Sequence, residues 1–487
     1  ARLGVGAVGS AAGAGLFAVH PVHTEAVANV VGRGELYCAL FVLAACLLHL
    51  RGREWGPGGR SARVLGVAGL YLLALASKEM AVTLPAVLLL MEAVRADDRP
   101  YLRRVRDDLP LYLLLGVTLA AFFGLRHRVL GVFLGDEATS SFLSLGTGER
   151  ILTALSLWPE YLRLLLFPLD LSSSYHPGVL FPATVWEPRV WAGLLVVLGL
   201  LLVAVRTRRS EPMVSAGIGW FAVTILPVSN LLFPTGVVLA ERTLYLPSVG
   251  LAFVAAGAVR ATRALPSRRR VALGAAAAMC GSLLLVRTVT RNPAWESTER
   301  VMRTLAREHP ESQIAIRARA RGLVAQGRVG EAGELFETAL AFAPESYSLM
   351  GEAAEFFLQR GDTARAEELL RRAIRLRPGH SAPYEYLAET LIRRGRPDEA
   401  IRVAGRGLGR AGWTSDLWAL VSEAHILAGR IPPAEWAREA AVATDPSSLR
   451  DWRRLEELRE RRGDAAGARA ARAGLRRAGL ELGRTEG

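Results

Sequence analysis

Residues 20–50 read HPVHTEAVANVVGRGELYCALFVLAACLLHL: a polar segment with two histidines, a glutamate and an arginine, followed directly by an apolar run. The run from about 27 to 49 has the ~20 residues that an α-helix needs to cross a ~30 Å hydrocarbon core. The stretch therefore predicts a membrane helix with ionisable groups gathered at one end. Similar runs recur at roughly 3–19, 62–77, 80–95, 109–128, 189–205, 213–230, 246–261 and 271–288, which makes nine candidate spans. With 51% hydrophobic residues in 487 and a mean hydropathy of +0.24, a single soluble domain is excluded.

The loops between these runs set the orientation. Of 60 basic residues 59 are arginine, and the lone lysine is Lys78. Residues 1–288 hold 27 basic and 17 acidic groups, so most of the net +14 lies there. Four alternating loops carry 17 of those cations: Arg51, Arg53, Arg60 and Arg63; Arg95, Arg99, Arg103, Arg104 and Arg106; Arg206, Arg208 and Arg209; Arg260, Arg263 and Arg268 to Arg270. By the positive-inside rule these loops are cytoplasmic. The charge then reads as an orientation code, and nucleic acid is not expected as a partner. Residues 150–167, RILTALSLWPEYLRLLLF, carry Arg150, Glu160, Arg163 and Pro159 and read as an amphipathic helix at the outer interface or re-entering briefly. Nine spans then put the C-terminal half outside, in the periplasm of a bacterium or the lumen of a eukaryote. Cys38, Cys46 and Cys280 lie in apolar runs, without metal or disulfide spacing.

The second half repeats every 34 residues. Gly327, Gly361, Gly395, Gly429 and Gly463 are each followed five residues on by an alanine, and Pro344, Pro378 and Pro446 close three of the repeats. Small residues recur twelve after the glycine at Ala339, Ala373 and Ala441, and a bulky residue recurs at Met350, Tyr384, Trp418 and Trp452. This is the pattern of a helix-turn-helix unit like a tetratricopeptide repeat, stacked into a solenoid that binds protein segments. The chain is thus expected to be all-α: a polytopic transmembrane domain at 1–288, a linker helix at 289–310, five repeats at 311–480 and a tail at 481–487.

Ionisable groups at membrane depth mark function by default. His20, His23 and Glu25 sit between the first two spans, and Arg33 and Glu35 are expected two to three turns into the second. Lys78 and Glu79 fall at the next outer turn. Asp170 and the segment Ser172 to His176 follow the interfacial helix, and Glu241, Arg242 and Tyr245 precede the eighth span. Each could be a cap or a structural ion pair, but together on one face they suggest one polar site. Asp97-Asp98 and Asp107-Asp108, in the cytoplasmic loop, read as solvated flanks, and no metal site is assigned.

The blocks LFAVHPVHTEAVANVVGRGELYCALFVLAA (16–45), SKEMAVTLPAVLLL (77–90), SNLLFPTGVVLAERTLYLPSVG (229–250) and RNPAWES (291–297), followed by repeats, resemble the transmembrane and tetratricopeptide-repeat-containing (TMTC) proteins and their bacterial relatives. The resemblance implies a GT-C-like membrane glycosyltransferase. It would move a sugar, mannose by resemblance, from a polyprenyl-phosphate donor to a hydroxyl acceptor on a protein or glycan. No cofactor beyond that donor is implied, and a divalent ion is left open. His20, His23, Glu25 and Arg33 match the first block, Lys78 and Glu79 the second, Glu241, Arg242 and Tyr245 the third. Arg33, Lys78 and Arg242 are the candidates for the carrier phosphate, and His20 and His23 for donor contacts. The family's acidic residue in its first outer loop would precede Ala1, so the base is expected upstream, with Glu25 and Glu79 as substitutes. The alternative is a non-catalytic membrane anchor for a repeat scaffold.

Overall fold

The computed structural model describes residues 6–52, 55–95, 99–130, 145–175, 183–235, 237–310, 312–342, 344 and 346–485, and every regular element among them is helical. Its contacts divide the chain into two units, 1–318 and 319–487.

The first unit runs through α1 (Ala7–Val19), α2 (Thr24–Ala28), α3 (Arg33–Gly52), α4 (Pro57–Ser77), α5 (Leu84–Val94), α6 (Tyr101–Asp107), α7 (Leu109–Leu130), α8 (Thr147–Ser156), α9 (Trp158–Leu166), α10 (Pro188–Thr207), α11 (Pro212–Ile225), α12 (Val249–Ala261), α13 (Ser267–Arg291) and α14 (Thr298–Glu308). An apolar helix falls on each of the nine expected stretches. Five segments, Val30–Gly52, Gly59–Ser77, Leu109–Val129, Pro188–Thr207 and Ser267–Trp295, are long and apolar enough to cross a membrane. Tyr71, Leu84, Leu88, Leu111 and Leu115 fill the core between α3, α4, α5 and α7. Leu195, Leu201, Leu283 and Val286 stay exposed, on faces suited to lipid.

Close approach depends on small residues, as is common between membrane helices. A Cβ on Gly13 would strike the Ala252 carbonyl, and one on Gly217 or Gly250 would strike the other's carbonyl. Gly193 sits equally close to the Leu155 carbonyl, which fixes α10 against α8. The stretch 150–167 is two short helices broken at Leu157, not one, and with 10 and 9 residues neither reaches across a bilayer.

Arg33 is also placed differently from expectation. The chain does not run as one helix from residue 27. Asn29 Oδ1 accepts a hydrogen bond from the Val31 N–H at 3.1 Å, and a 3₁₀ turn at Val30–Gly32 separates α2 from α3. Gly32 there lies against the backbone of Glu25 and Ala26, too close for a side chain. Arg33 is therefore the first residue of α3, at its end and exposed rather than two turns deep.

The far end of α3 carries a buried polar cluster. Asp108 receives both nitrogens of Arg63, at 2.5 and 3.3 Å, and both residues are about 97% buried. His49 Nε2 lies 2.9 Å from Glu92 and 4.0 Å from Asp108. Asp108 is thus no solvated flank, because the turn before α7 folds it onto α4. Asp107 does stay at the surface, 3.3 Å from Arg99. Arg53 and Asp97-Asp98 lie outside the described residues.

The second unit begins within α15 (Gln313–Ala325), which pairs in sequence with α16 (Val329–Phe342). Four further hairpins follow: α17 (Tyr347–Gln359) with α18 (Thr363–Leu376), α19 (Ser381–Arg393) with α20 (Pro397–Arg410), α21 (Ser415–Leu427) with α22 (Ile431–Thr444), and α23 (Leu449–Arg461) with α24 (Ala465–Thr485). The five repeating glycines lie between paired helices with φ from +69° to +79°, a region that side chains disfavour. Ala332, Ala366, Ala400 and Ala434 are buried where the helices of a pair meet.

Candidate functional site

The loops that carry the quoted blocks meet at one end of the helical bundle. Glu25, on α2, is 2% exposed; its Oε2 accepts from the Arg242 backbone N–H at 2.9 Å, while its Oε1 pairs with the Arg242 guanidinium. The first and third blocks are therefore clamped together across more than two hundred residues of chain. Lys78, where α4 ends, reaches the buried Glu35 of α3 at 3.3 Å. Glu79 turns away to Arg126 of α7, 2.5 Å off, with its side chain about half exposed. Arg33 pairs with neither Glu25 nor Glu35, which are taken by Arg242 and Lys78. It is exposed and has no carboxylate partner among the described residues.

The histidines face inward. His20 Nδ1 accepts from the Val22 N–H, which leaves its Nε2–H to donate to the Leu165 carbonyl at 2.9 Å. His23 Nε2 lies 2.8 Å from Ser248 Oγ, whose own proton goes to the Tyr245 carbonyl, so the imidazole is the donor. Its ring packs on Phe17 and Tyr245, with centroids 4.4 and 4.8 Å apart. Burial lowers the pKa of both, that of His23 to about 3 with help from His20, so both imidazoles are neutral.

Glu241 is the most enclosed carboxylate here. Its Oε1 accepts from Tyr175 Oη at 2.9 Å and from the Ser172 N–H at 2.5 Å, while its buried Oε2 has no hydrogen-bond partner among the described residues. Burial and then the charge of Glu25 push its pKa up to about 8, against the pull of Arg291. Burial and the same Glu241 push the Tyr175 phenol up as well. Arg291, buried and paired with Glu308 at 2.5 Å, was not among the expected site residues, although it opens the RNPAWES block. His176 lies outside the described residues, and Asp170 is a surface group near Arg163.

This arrangement yields a pH prediction. Between pH 4.5 and 8 the folded state holds a proton on Glu241 that the unfolded chain has released, so this group's contribution to stability declines as pH rises through that window. His23 works oppositely, adding stability from about pH 3 to 6.5 and none beyond. Between pH 6.5 and 8, then, Glu241 acts without opposition from His23. The melting temperature should fall over that interval, and Glu241→Gln should flatten the fall; equal slopes would mean that Glu241 is already ionised in the fold.

The arrangement bears on metals too. Ligand atoms of His49, Glu92 and Asp108 lie within 4.8 Å of one another. Arg63 already occupies both Asp108 oxygens, and Arg95 stands 3.9 Å from Glu92, so the cluster carries its own cations and does not fit a divalent ion.

The fold and the polar end define a polytopic helical membrane protein that carries a tetratricopeptide-repeat array. Residues 323–384 and 357–424 match the tetratricopeptide-repeat family profile. Protein O-mannosyl-transferase F38B6.6 of Caenorhabditis elegans is 30% identical over 248 residues, covering 50% of this chain and 33% of its own length. Protein O-mannosyl-transferase TMTC4 of Mus musculus is 30% identical over 329 residues, 59% of this chain and 43% of its own. The chain is similar to these protein O-mannosyl-transferases, and it spans a third to under half of the length of these two relatives. Among solved structures, a MamA double mutant aligns with 35% of the chain and 96% of itself at 16% identity and a TM-score of 0.31.

Proposed function

We propose that the chain is the membrane and repeat portion of a glycosyltransferase that moves mannose from a polyprenyl-phosphate carrier to a hydroxyl on a protein or glycan. The reading is supported most by three cations at one end of the bundle: Arg33 exposed, and Lys78 and Arg242 partly exposed, each of the latter two backed by a buried carboxylate. Carboxylates fixed behind the cations hold them in place for a phosphate that gains charge as the sugar departs. The bond from the sugar's anomeric carbon to the phosphate oxygen breaks, the acceptor oxygen bonds to that carbon, and the acceptor's proton passes to a base. Both Glu25 oxygens are engaged by Arg242, and Glu35 and Glu241 are buried. Glu79, about half exposed, is the carboxylate of this set that can touch an acceptor. His20, His23 and Glu241 position the loops. The basic loops at the opposite end support an outer or luminal position for this site, and the nine-span count supports exterior repeats, in a bacterial inner membrane or the endoplasmic reticulum.

The test supplies membranes containing the protein with labelled polyprenyl-phosphate sugars and serine- or threonine-containing peptides. Labelled peptide from the mannosyl donor is the expected product. Product from a different sugar would reassign the donor, and none from the whole panel would leave the membrane part as an anchor for a scaffold.

A further inference from the structure

The second unit contains a groove of about 970 Å³ formed by α19, α21 and α23, the first helices of three successive repeats, with Arg438 of α22 at its base. Ile392, Ala419, Leu420 and Leu449 supply its apolar lining, and apart from Tyr386 the rest of the lining is charged. Most of those charges cancel locally. Arg393 meets Glu389 at 2.7 Å and Arg450 meets Asp416 at 2.8 Å. Arg438 is held by Asp451 and Glu423, at 2.5 and 2.8 Å, and Arg454 by Glu423 and Glu457.

Two places are left unbalanced. On α19, Glu385 accepts from the Thr414 hydroxyl at 3.1 Å and has no cation partner among the described residues. Glu355 of α17, exposed and likewise without a cation partner among the described residues, acts on the same ring: burial, and then the charges of Glu355, Glu385 and Glu389, push the phenol of Tyr386 up. On α23, two helices away, Arg453 is exposed with no carboxylate partner among the described residues. One end of the groove therefore has a negative excess beside an aromatic ring, and the other end has a positive one.

We propose that the groove binds an extended peptide segment with a lysine or arginine at one end, aliphatic side chains between, and a carboxylate at the other. The basic side chain lies against Glu355, Glu385 and the face of Tyr386, and the carboxylate meets Arg453. Neighbouring helices pack ~8–10 Å apart, so the two ends stand roughly 20 Å from each other. At ~3.3 Å per residue that is a segment of about six residues. A nucleic acid would be repelled at the α19 end, and a uniformly acidic or basic peptide would satisfy one end only. The proposal rests on the reading that the repeats bind protein segments, and it is independent of the transferase reading.

The test uses the full chain in lipid nanodiscs and three fluorescent seven-residue probes with the same leucine-alanine middle: lysine and aspartate at opposite ends, aspartate at both, or lysine at both. Anisotropy should show the dipolar probe binding about fivefold tighter than either uniform one, the range expected for one partly exposed ion pair. Arg453→Glu should turn the preference to the all-lysine probe, and Glu355→Lys with Glu385→Lys to the all-aspartate probe. All three residues are on the surface or half-buried, and a reversed preference itself reports a folded groove. Arg453→Lys should retain the parental ranking. Equal affinity for the three probes, absence of saturable binding, or an unchanged ranking in the reversed variants would overturn the proposal. Sugar transfer is not read in this assay, so a failed groove and a failed transferase remain distinguishable.

Discussion

Replacing Arg33 by alanine is expected to lower sugar transfer by about 10²-fold, the loss typical when one preorganised charge donor is removed from a developing anion. The protein should insert and unfold as before. Arg33 touches no carboxylate among the described residues, so its removal strands no buried charge. That separates it from Lys78 and Arg242, whose loss would leave Glu35 or Glu25 enclosed without a counterion. Arg33→Lys, which keeps the charge but not the planar fork, should recover part of the rate. Transfer by the alanine variant at the parental rate would remove Arg33 from the phosphate site.

The largest effect on stability is expected at the other end of the bundle. Asp108→Ala leaves the Arg63 guanidinium buried with no anion to meet it, which should cost about 3–5 kcal/mol. Arg63→Met with Asp108→Ala should recover part of that loss, since no charge is then left buried without its partner. The measurement is thermal unfolding in detergent of the two single variants and the double. If the double variant is as unstable as Asp108→Ala alone, the pair is not the source of the stability, and the nearby His49 and Glu92 carry it instead.

These two cases show what a local pattern can and cannot reveal. Repeats of 34 residues and runs of apolar side chains are visible in a line of sequence because each is decided within one or two helical turns. The glycines that punctuate the array sit where their spacing predicts, in the left-handed conformation between paired helices. The polar end was readable as a set of motifs, since those motifs fall in the turns between apolar runs. Their partnerships were not. Glu25 meets Arg242, and Tyr175 meets Glu241, across stretches of chain that no periodicity connects. The position of Arg33 was misread for a related reason: Asn29 and Gly32 break the helix through one side-chain bond and one close backbone contact, neither of which interrupts hydrophobicity. Asp108 looked like a surface charge beside Asp107 because burial depends on what α4 presents to it. Arg63, 45 residues earlier, is that partner.

The left-handed glycines have a mechanical consequence. Each hairpin of the array is held by its own turn and by its immediate neighbours, so stability is distributed as in a one-dimensional chain and has no single keystone. A change that loosens one hairpin should therefore be felt in that hairpin and its immediate neighbours, and amide protons there should exchange before those of hairpins farther along the array. An alanine at Gly463, with φ of +77°, would then loosen the hairpin of α23 with α24. An alanine at Gly395, with φ of +69°, would weaken the link between α19 and α20 and let the hairpins on its two sides open more independently.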